Sequence, residues 1–136
     1  MSLFVDTSAW YAAASTGDRS NARAKEILVA ERLVLTDHVL VETWRLLAYR
    51  HAPTVAERWW DGIRSGVAEV ALVGAGDLER AWEVGRRFSD QGFSLVDRTS
   101  FVVMERLGLT RAASFDDHFA IYRYGPRLDR AFDVVR

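Results

Sequence analysis

Short apolar runs, each followed by a stretch with helical periodicity, recur along the whole chain, and this alternation restricts the fold more than any other feature. The runs fall at 3–5, 33–35, 68–73, 111–114 and 132–135. Between them the sequence predicts helices at 8–15, 19–32, 37–50, 53–64, 77–88 and 97–107, and a short one from 116. Ala22, Ile27 and Ala30 are expected on the apolar side of the second helix, and Leu40, Trp44, Leu47 and Ala48 form a stripe on the third. Pro53 falls in a first helical turn, where its missing N–H is harmless. Parallel strands need crossover connections, usually helical, so strands alternating with helices imply an α/β fold. The expectation is a mostly parallel central sheet with helices on both faces, built as one domain over residues 1–136. In such a sheet the carboxyl ends of the strands share one edge, where sites form.

Charged residues make up 27% of the chain and the formal net charge is −1, which argues against a purely electrostatic nucleic-acid binder. An enzyme acting on nucleic acid through a local basic patch stays open. Lys25 is the only lysine among 18 cationic residues, and arginine suits bidentate phosphate contacts, although a GC-rich genome gives the same bias. The absence of cysteine excludes disulfides and thiolate metal sites. The start, Met1-Ser2-Leu3, lacks a basic, apolar leader, and no apolar run approaches the ~20 residues of a membrane span. A soluble, cytoplasmic protein without membrane attachment is expected.

Four carboxylates stand just beyond strands or in early helical turns: Asp6, Glu42, Asp97 and Asp116. Each has a modest explanation. Asp6 fits an N-cap, and Ser94/Asp97 and Ser114/Asp117 have capping-box spacing. Glu42 resists this reading, because Val39 and Leu46 flank it at i−3 and i+4, and a partly buried carboxylate calls for a cation or an arginine such as Arg45 or Arg50. Carboxylates gathered at one sheet edge repel one another, and a multivalent cation relieves the repulsion. All-oxygen ligation suits Mg²⁺ or Mn²⁺, and such ions assist phosphoryl chemistry by activating water and stabilising a leaving oxyanion.

The segments FVDTSAW, VLVETWRLL, FSLVDRTSFVVMERLG and AASFDDHF, in this order and spacing, resemble the PIN-domain ribonucleases, and among them the VapC-type toxins of bacterial toxin–antitoxin pairs. The resemblance covers nearly the whole chain. It implies a three-layer α/β/α fold and Mg²⁺- or Mn²⁺-dependent endonuclease action on RNA. The family's acidic quartet falls on Asp6, Glu42, Asp97 and Asp116, with Asp6 and Asp97 holding the main ion and Glu42 and Asp116 joining directly or through water. Thr7 and Ser8 match the hydroxyls that orient Asp6 or a water, and Thr99 and Ser100 sit similarly beside Asp97. His118 stands where many relatives carry a further aspartate, which leaves the part played by Asp117 open. A VapB-type antitoxin and a homodimer are further implications of the resemblance.

Other features carry less. His38, His51 and His118 are too scattered to suggest a histidine acid–base pair, although His118 is a candidate RNA contact. Arg98 is a second candidate phosphate contact beside Asp97, ahead of Arg106, Arg111, Arg123, Arg127 and Arg130. Trp59 and Trp60 point about 100° apart on a helix, so one suits the core and the other a protein partner. Gly74 and Gly76 bracket a turn without the Gly-Lys-Ser/Thr of a phosphate loop. Three alternatives remain: a housekeeping RNA-processing nuclease on the same fold, a catalytically silent acidic-edged binding module, and a Mg²⁺-dependent phosphatase. Ser8 stands where the phosphatase needs a second aspartate.

Overall fold

The computed structural model describes residues 1–29 and 31–136. Strand β1 (Ser2–Val5) lies at the centre of a five-stranded sheet ordered β3-β2-β1-β4-β5. Its partners are β2 (Arg32–Thr36) and β4 (Arg111–Ala113), with β3 (Glu69–Ala71) and β5 (Asp133–Val135) at the edges. Every pairing is parallel, and Phe4 stands opposite both Val34 and Ala112. Leu3, Phe4 and Val5 are all buried, as a strand covered on both faces requires. The chain leaves β1 toward β2 and β3 on one side and returns to β4 and β5 on the other. The carboxyl end of β1, beside that of β4, is therefore the topological switch point, where open α/β sheets form their sites.

The helices are α1 (Thr7–Ala14), α2 (Asn21–Leu28), α3 (Asp37–Arg50), α4 (Pro53–Gly62), α5 (Ala75–Arg87), α6 (Leu95–Leu107) and α7 (His118–Ile121). They flank the sheet as the α/β/α expectation requires. None among the described residues is long and apolar enough to cross a membrane.

The departures from the sequence reading lie in boundaries and faces. Helix α2 is shorter than 19–32, because Arg32 already belongs to β2. It buries Ala24 and Ile27, whereas Ala22 is exposed and Ala30 lies outside the described residues. In α3 the fully buried seam is Val39, Thr43 and Leu47, rotated from the expected stripe, and Leu40, Trp44 and Ala48 are only half-buried. Helix α4 passes into a π-helical turn, Ile63–Val67, which closes through Gly66 at φ 109°. Strand β3 spans only three residues of the expected 68–73. The split of the tryptophan pair is as expected: Trp59 packs edge-on against buried Trp10 at 5.8 Å, and Trp60 is exposed.

One ion pair ties α5 and α6 together. Arg106 donates to both oxygens of Asp77 at 2.9 and 3.0 Å, and to the Leu72 carbonyl at 3.1 Å. Asp77 also accepts from the Gly74 amide at the start of α5. The Arg106 hydrogen bond holds the Asp77 carboxyl below its usual range. Removing the cation strands a buried carboxylate at a helix entry. Arg106→Leu is expected to cost about 1–3 kcal/mol, read as a lower urea midpoint at unchanged slope, and wild-type stability in this variant would show the pair to be inert.

Candidate metal centre

Asp6 is the first residue after β1, and its amide donates to the Ala113 carbonyl of β4 at 3.0 Å. The residue occupies the N-cap position of α1, but its side chain does not cap the helix, contrary to the simple reading of the sequence. Two hydroxyls converge on one oxygen of the carboxylate instead: Ser8 at 3.0 Å and Ser114 at 2.9 Å donate to Oδ2. Ser8 Oγ also accepts from the Phe115 amide at 3.0 Å, which locks the turn after β4 onto α1. Thr7, the other expected helper, makes no hydrogen bond to Asp6 among the described residues. Its Oγ1 is buried with no hydrogen-bond partner among the protein atoms.

Asp97 enters from α6. Ser94 and Asp97 form a reciprocal capping box, with the Ser94 hydroxyl accepting from the Asp97 amide and Asp97 Oδ2 accepting from the Ser94 amide, both at 3.0 Å. The Ser114/Asp117 box does not form. Ser114 Oγ is committed to Asp6 and accepts from the Asp116 amide at 3.2 Å, and Asp116 Oδ1 takes the His118 amide at 2.6 Å. Asp117 holds the N-cap position of the short α7 without a side-chain bond, and Asp116 satisfies the first helical amide instead. His118 Nδ1 lies 2.7 Å from Asp97 Oδ2 and 3.6 Å from Asp116 Oδ1. Asp97, Asp116 and His118 each offer a ligand atom, and these atoms all lie within 4.8 Å of one another.

The other sequence candidates are not drawn into this cluster. Glu42 is half-buried on α3 and lines an open groove of about 850 Å³ with His38, Trp44, Tyr49 and Val96. Neither Arg45 nor Arg50 forms an ion pair with it among the described residues. Thr99 and Ser100 do not support Asp97. Their hydroxyls donate back to α6 carbonyls, Thr99 to Leu95 at 3.0 Å and Ser100 to Val96 at 2.7 Å. Both are fully buried, and the low solvation of a helix-core hydroxyl favours that local partner. Arg98 lies along α5, reaching the Ala81 carbonyl at 3.5 Å and lying over Gly85, where a Cβ would stand 1.9 Å from its Nη1. The side chain packs two helices and is not a free phosphate ligand. Asp117 points outward to Arg136, at 2.9 Å. Sequence reasoning missed Ser114 as the second donor to Asp6. Its place at the end of β4, beside the end of β1, was the available signal.

The electrostatics follow from this packing. Burial pushes the Asp6 carboxyl up, the Ser114 and Ser8 hydrogen bonds oppose it, and the charges of Asp97 and Asp116 add to it, with a net rise from 3.8 to about 6. Burial alone would lower the His118 imidazole. The Asp97 hydrogen bond and the charges of Asp116, Asp97 and Asp6 outweigh that and raise it. A divalent cation answers each of these features. It would neutralise the facing carboxylates.

Residues 3–123 match the PIN domain family model, and the chain belongs to that family. It is 40% identical over 123 residues to the 23S rRNA-specific endonuclease VapC20 of Mycobacterium tuberculosis, which covers 87% of this chain and 92% of the relative. It is 31% identical over 141 residues to the VapC ribonuclease of Archaeoglobus fulgidus, covering 98% and 88%. The crystal structure of M. tuberculosis VapC20, a sarcin–ricin loop cleaving toxin, superposes with a TM-score of 0.81 at 36% identity, over 87% of this chain and 92% of that one. Within the PIN domain family the protein is therefore of the VapC ribonuclease type.

The Asp6 carboxyl holds its proton more tightly folded, near 6, than at its unperturbed 3.8. Between those values the native state binds more protons than the unfolded one, so native stability rises as pH falls through 6 and declines as pH rises through it. His118, also raised, acts in the same direction. A shift of this size corresponds to on the order of 3 kcal/mol carried by the metal-free fold above pH 7. Asp6→Asn is expected to raise the Tm of the metal-free chain at pH 8 and to flatten its pH dependence between 5 and 7. A variant with the wild-type pH profile would show Asp6 to be an ordinary carboxylate.

Proposed function

We propose that residues 1–136 form one metal-dependent endoribonuclease domain, working in the cytoplasm as the toxin of a VapBC-type pair. The observation that carries this is the gathering of Asp97, Asp116 and His118 at the carboxyl edge of a parallel sheet, with Asp6 tied to the same edge through Ser114, which donates to Asp6 and accepts from the Asp116 amide. Asp6 and Asp97 would be the principal ligands of a Mg²⁺-type ion, with Glu42 and Asp116 joining directly or through water. When bound, such an ion lowers the pKa of water and stabilises charge on phosphate oxygens.

The chain's own groups do the rest. Ser8 and Ser114 fix Asp6 through Oδ2, which leaves Oδ1 free of protein donors. The Ser94 amide fixes Asp97 in the same way. With the carboxylates held by their own scaffold, little rearrangement is needed when substrate arrives. To Glu42, free of hydrogen bonds among the described residues, we assign the role of accepting a proton from an attacking water or holding that water in line with the scissile phosphate.

The substrate to test first is 23S rRNA and its sarcin–ricin loop, because the VapC20 relative is named for that activity. Val41, Tyr49 and Trp60 leave an apolar surface exposed on α3 and α4, which supports protein partners. A second copy of the chain and a VapB-type antitoxin are the partners proposed.

The decisive experiment incubates the antitoxin-free chain with total RNA and with ribosomes, in Mg²⁺, in Mn²⁺ and in EDTA. Discrete fragments are expected with either ion and none in EDTA. Asp6→Asn and Asp97→Asn should each lower cleavage by at least 100-fold while keeping the wild-type circular dichroism spectrum. Undiminished cutting by either variant would remove the carboxylates from the mechanism. A folded, ion-loaded wild type that cuts neither RNA source would favour a silent binding module.

A further inference from the structure

We propose that His118 is itself a ligand of the metal centre, supplying a nitrogen that turns the site's preference from Mg²⁺ toward Mn²⁺. This rests on the metal-dependent reading above and adds a residue and a selectivity to it. Adjacent ligands on a six-coordinate ion with bonds of about 2.1–2.2 Å stand about 3 Å apart. His118 Nδ1 lies 2.7 Å from an Asp97 oxygen and 3.6 Å from an Asp116 oxygen, spacings that bracket this edge. A cation that takes an oxygen from each aspartate therefore meets the ring nitrogen at a ligand's distance.

The imidazole is also held in place. The His118 amide is bonded to Asp116 Oδ1 at 2.6 Å, so backbone and neighbouring ligand move together. The ring stands edge-on to buried Phe93 at 5.2 Å and 75°. Phe93 in turn belongs to an aromatic cluster with Phe101, Phe119 and Tyr122. Displacing the imidazole to make an all-oxygen site would break its contact with Phe93. The other two histidines are engaged elsewhere, His38 with Thr99 and His51 with Ser15.

Donor chemistry then sets the selectivity. Mg²⁺ takes oxygen ligands and keeps several waters, whereas transition-series ions accept imidazole readily, and carboxylates remain well suited to Mn²⁺. A set of carboxylates with one imidazole matches Mn²⁺ better than Mg²⁺.

The test uses the full chain with Mn²⁺ as the probe. Pulsed electron paramagnetic resonance of the bound ion is expected to show coupling to one imidazole nitrogen, retained in His38→Asn and lost in His118→Asp. Equilibrium titrations with Mg²⁺ and Mn²⁺ should show the Mn²⁺-to-Mg²⁺ affinity ratio falling at least tenfold in His118→Asp. Bound Mn²⁺ without nitrogen coupling in the wild type would overturn the assignment, whether or not the variant folds. An unchanged affinity ratio would do the same, and would return His118 to the role of an RNA contact. A wild-type chain that binds neither ion at millimolar concentration would remove the metal-dependent reading and this ligand together.

Discussion

Burying a carboxylate against two others is the constraint around which this molecule is arranged. Asp6 is almost without solvent, and its ionised form is opposed both by that burial and by the charges of Asp97 and Asp116. A packed core does not ordinarily tolerate such a group unless something else compensates. The compensation here is incomplete: two serine hydroxyls share a single oxygen, and among the described residues no arginine or lysine reaches Asp6. Several arginines of the same segments are committed to structural tasks. Arg98 packs on α5, Arg106 pairs with Asp77, and Arg123 donates to the carbonyls that end α7. A site meant only for stability would have used one of them. A divalent cation would supply the charge that none of these arginines brings.

The supporting shell explains how charges that repel can be held still. Each aspartate is tied by a donor that the sheet topology brings to it. Ser8 and Ser114 reach Asp6 from α1 and from the end of β4, and the Ser94 amide reaches Asp97 from the entry of α6. Ser114 is the link among them, since its hydroxyl donates to Asp6 while accepting from the Asp116 amide. One small side chain at the switch point therefore sets the spacing of two proposed ligands. Capping and ligation are not rival explanations at Asp97 or Asp116. The amide bond each one accepts fixes the carboxylate, and an ionised carboxylate keeps further lone pairs for a cation.

Much of this was legible in the sequence because it is encoded locally. The buried strand at 3–5, the alternation with helices and the position of acidic residues at strand ends are readable from runs of a few residues, and the resemblance in FVDTSAW and SFDDHF gave them a family. The Ser94/Asp97 box was visible for the same reason, whereas Ser114/Asp117 had equal spacing and a different fate. What decided it was Asp6, 108 residues away, which claims the serine. The stripe on α3 failed for a related reason: periodicity finds an apolar face, but it does not say which of two apolar faces meets the sheet. Val39, Thr43 and Leu47 are buried while Trp44 and Tyr49 line the groove, so the chain has an apolar surface beyond what its own core covers. The tasks of Thr99 and Arg98 depend on neighbouring helices, and spacing along one helix carries no information about them.

Glu42 shows how a residue outside the close cluster can still be placed with accuracy. Its carboxylate has no protein partner among the described residues, so its position is that of α3 itself. Of three consecutive residues at the start of that helix, one closes its entry and two pin it to other parts of the molecule. Thr36 Oγ1 accepts from the Val39 amide and closes the helix entry, and Asp37 accepts from the Val73 amide beyond β3. His38 reaches Thr99 on α6 at 3.1 Å. Because the Thr99 hydroxyl spends its one proton on an α6 carbonyl, the imidazole is the donor in that contact. Glu42 follows one turn after His38, on the same groove. The Glu42-bearing helix is thereby referenced directly to α6, which carries Asp97, and the unbonded carboxylate has a fixed origin but a free end. That combination suits a group that must meet a water or an ion whose position changes during a reaction, whereas Asp6 and Asp97, tied at one oxygen each, suit ligands that stay where they are.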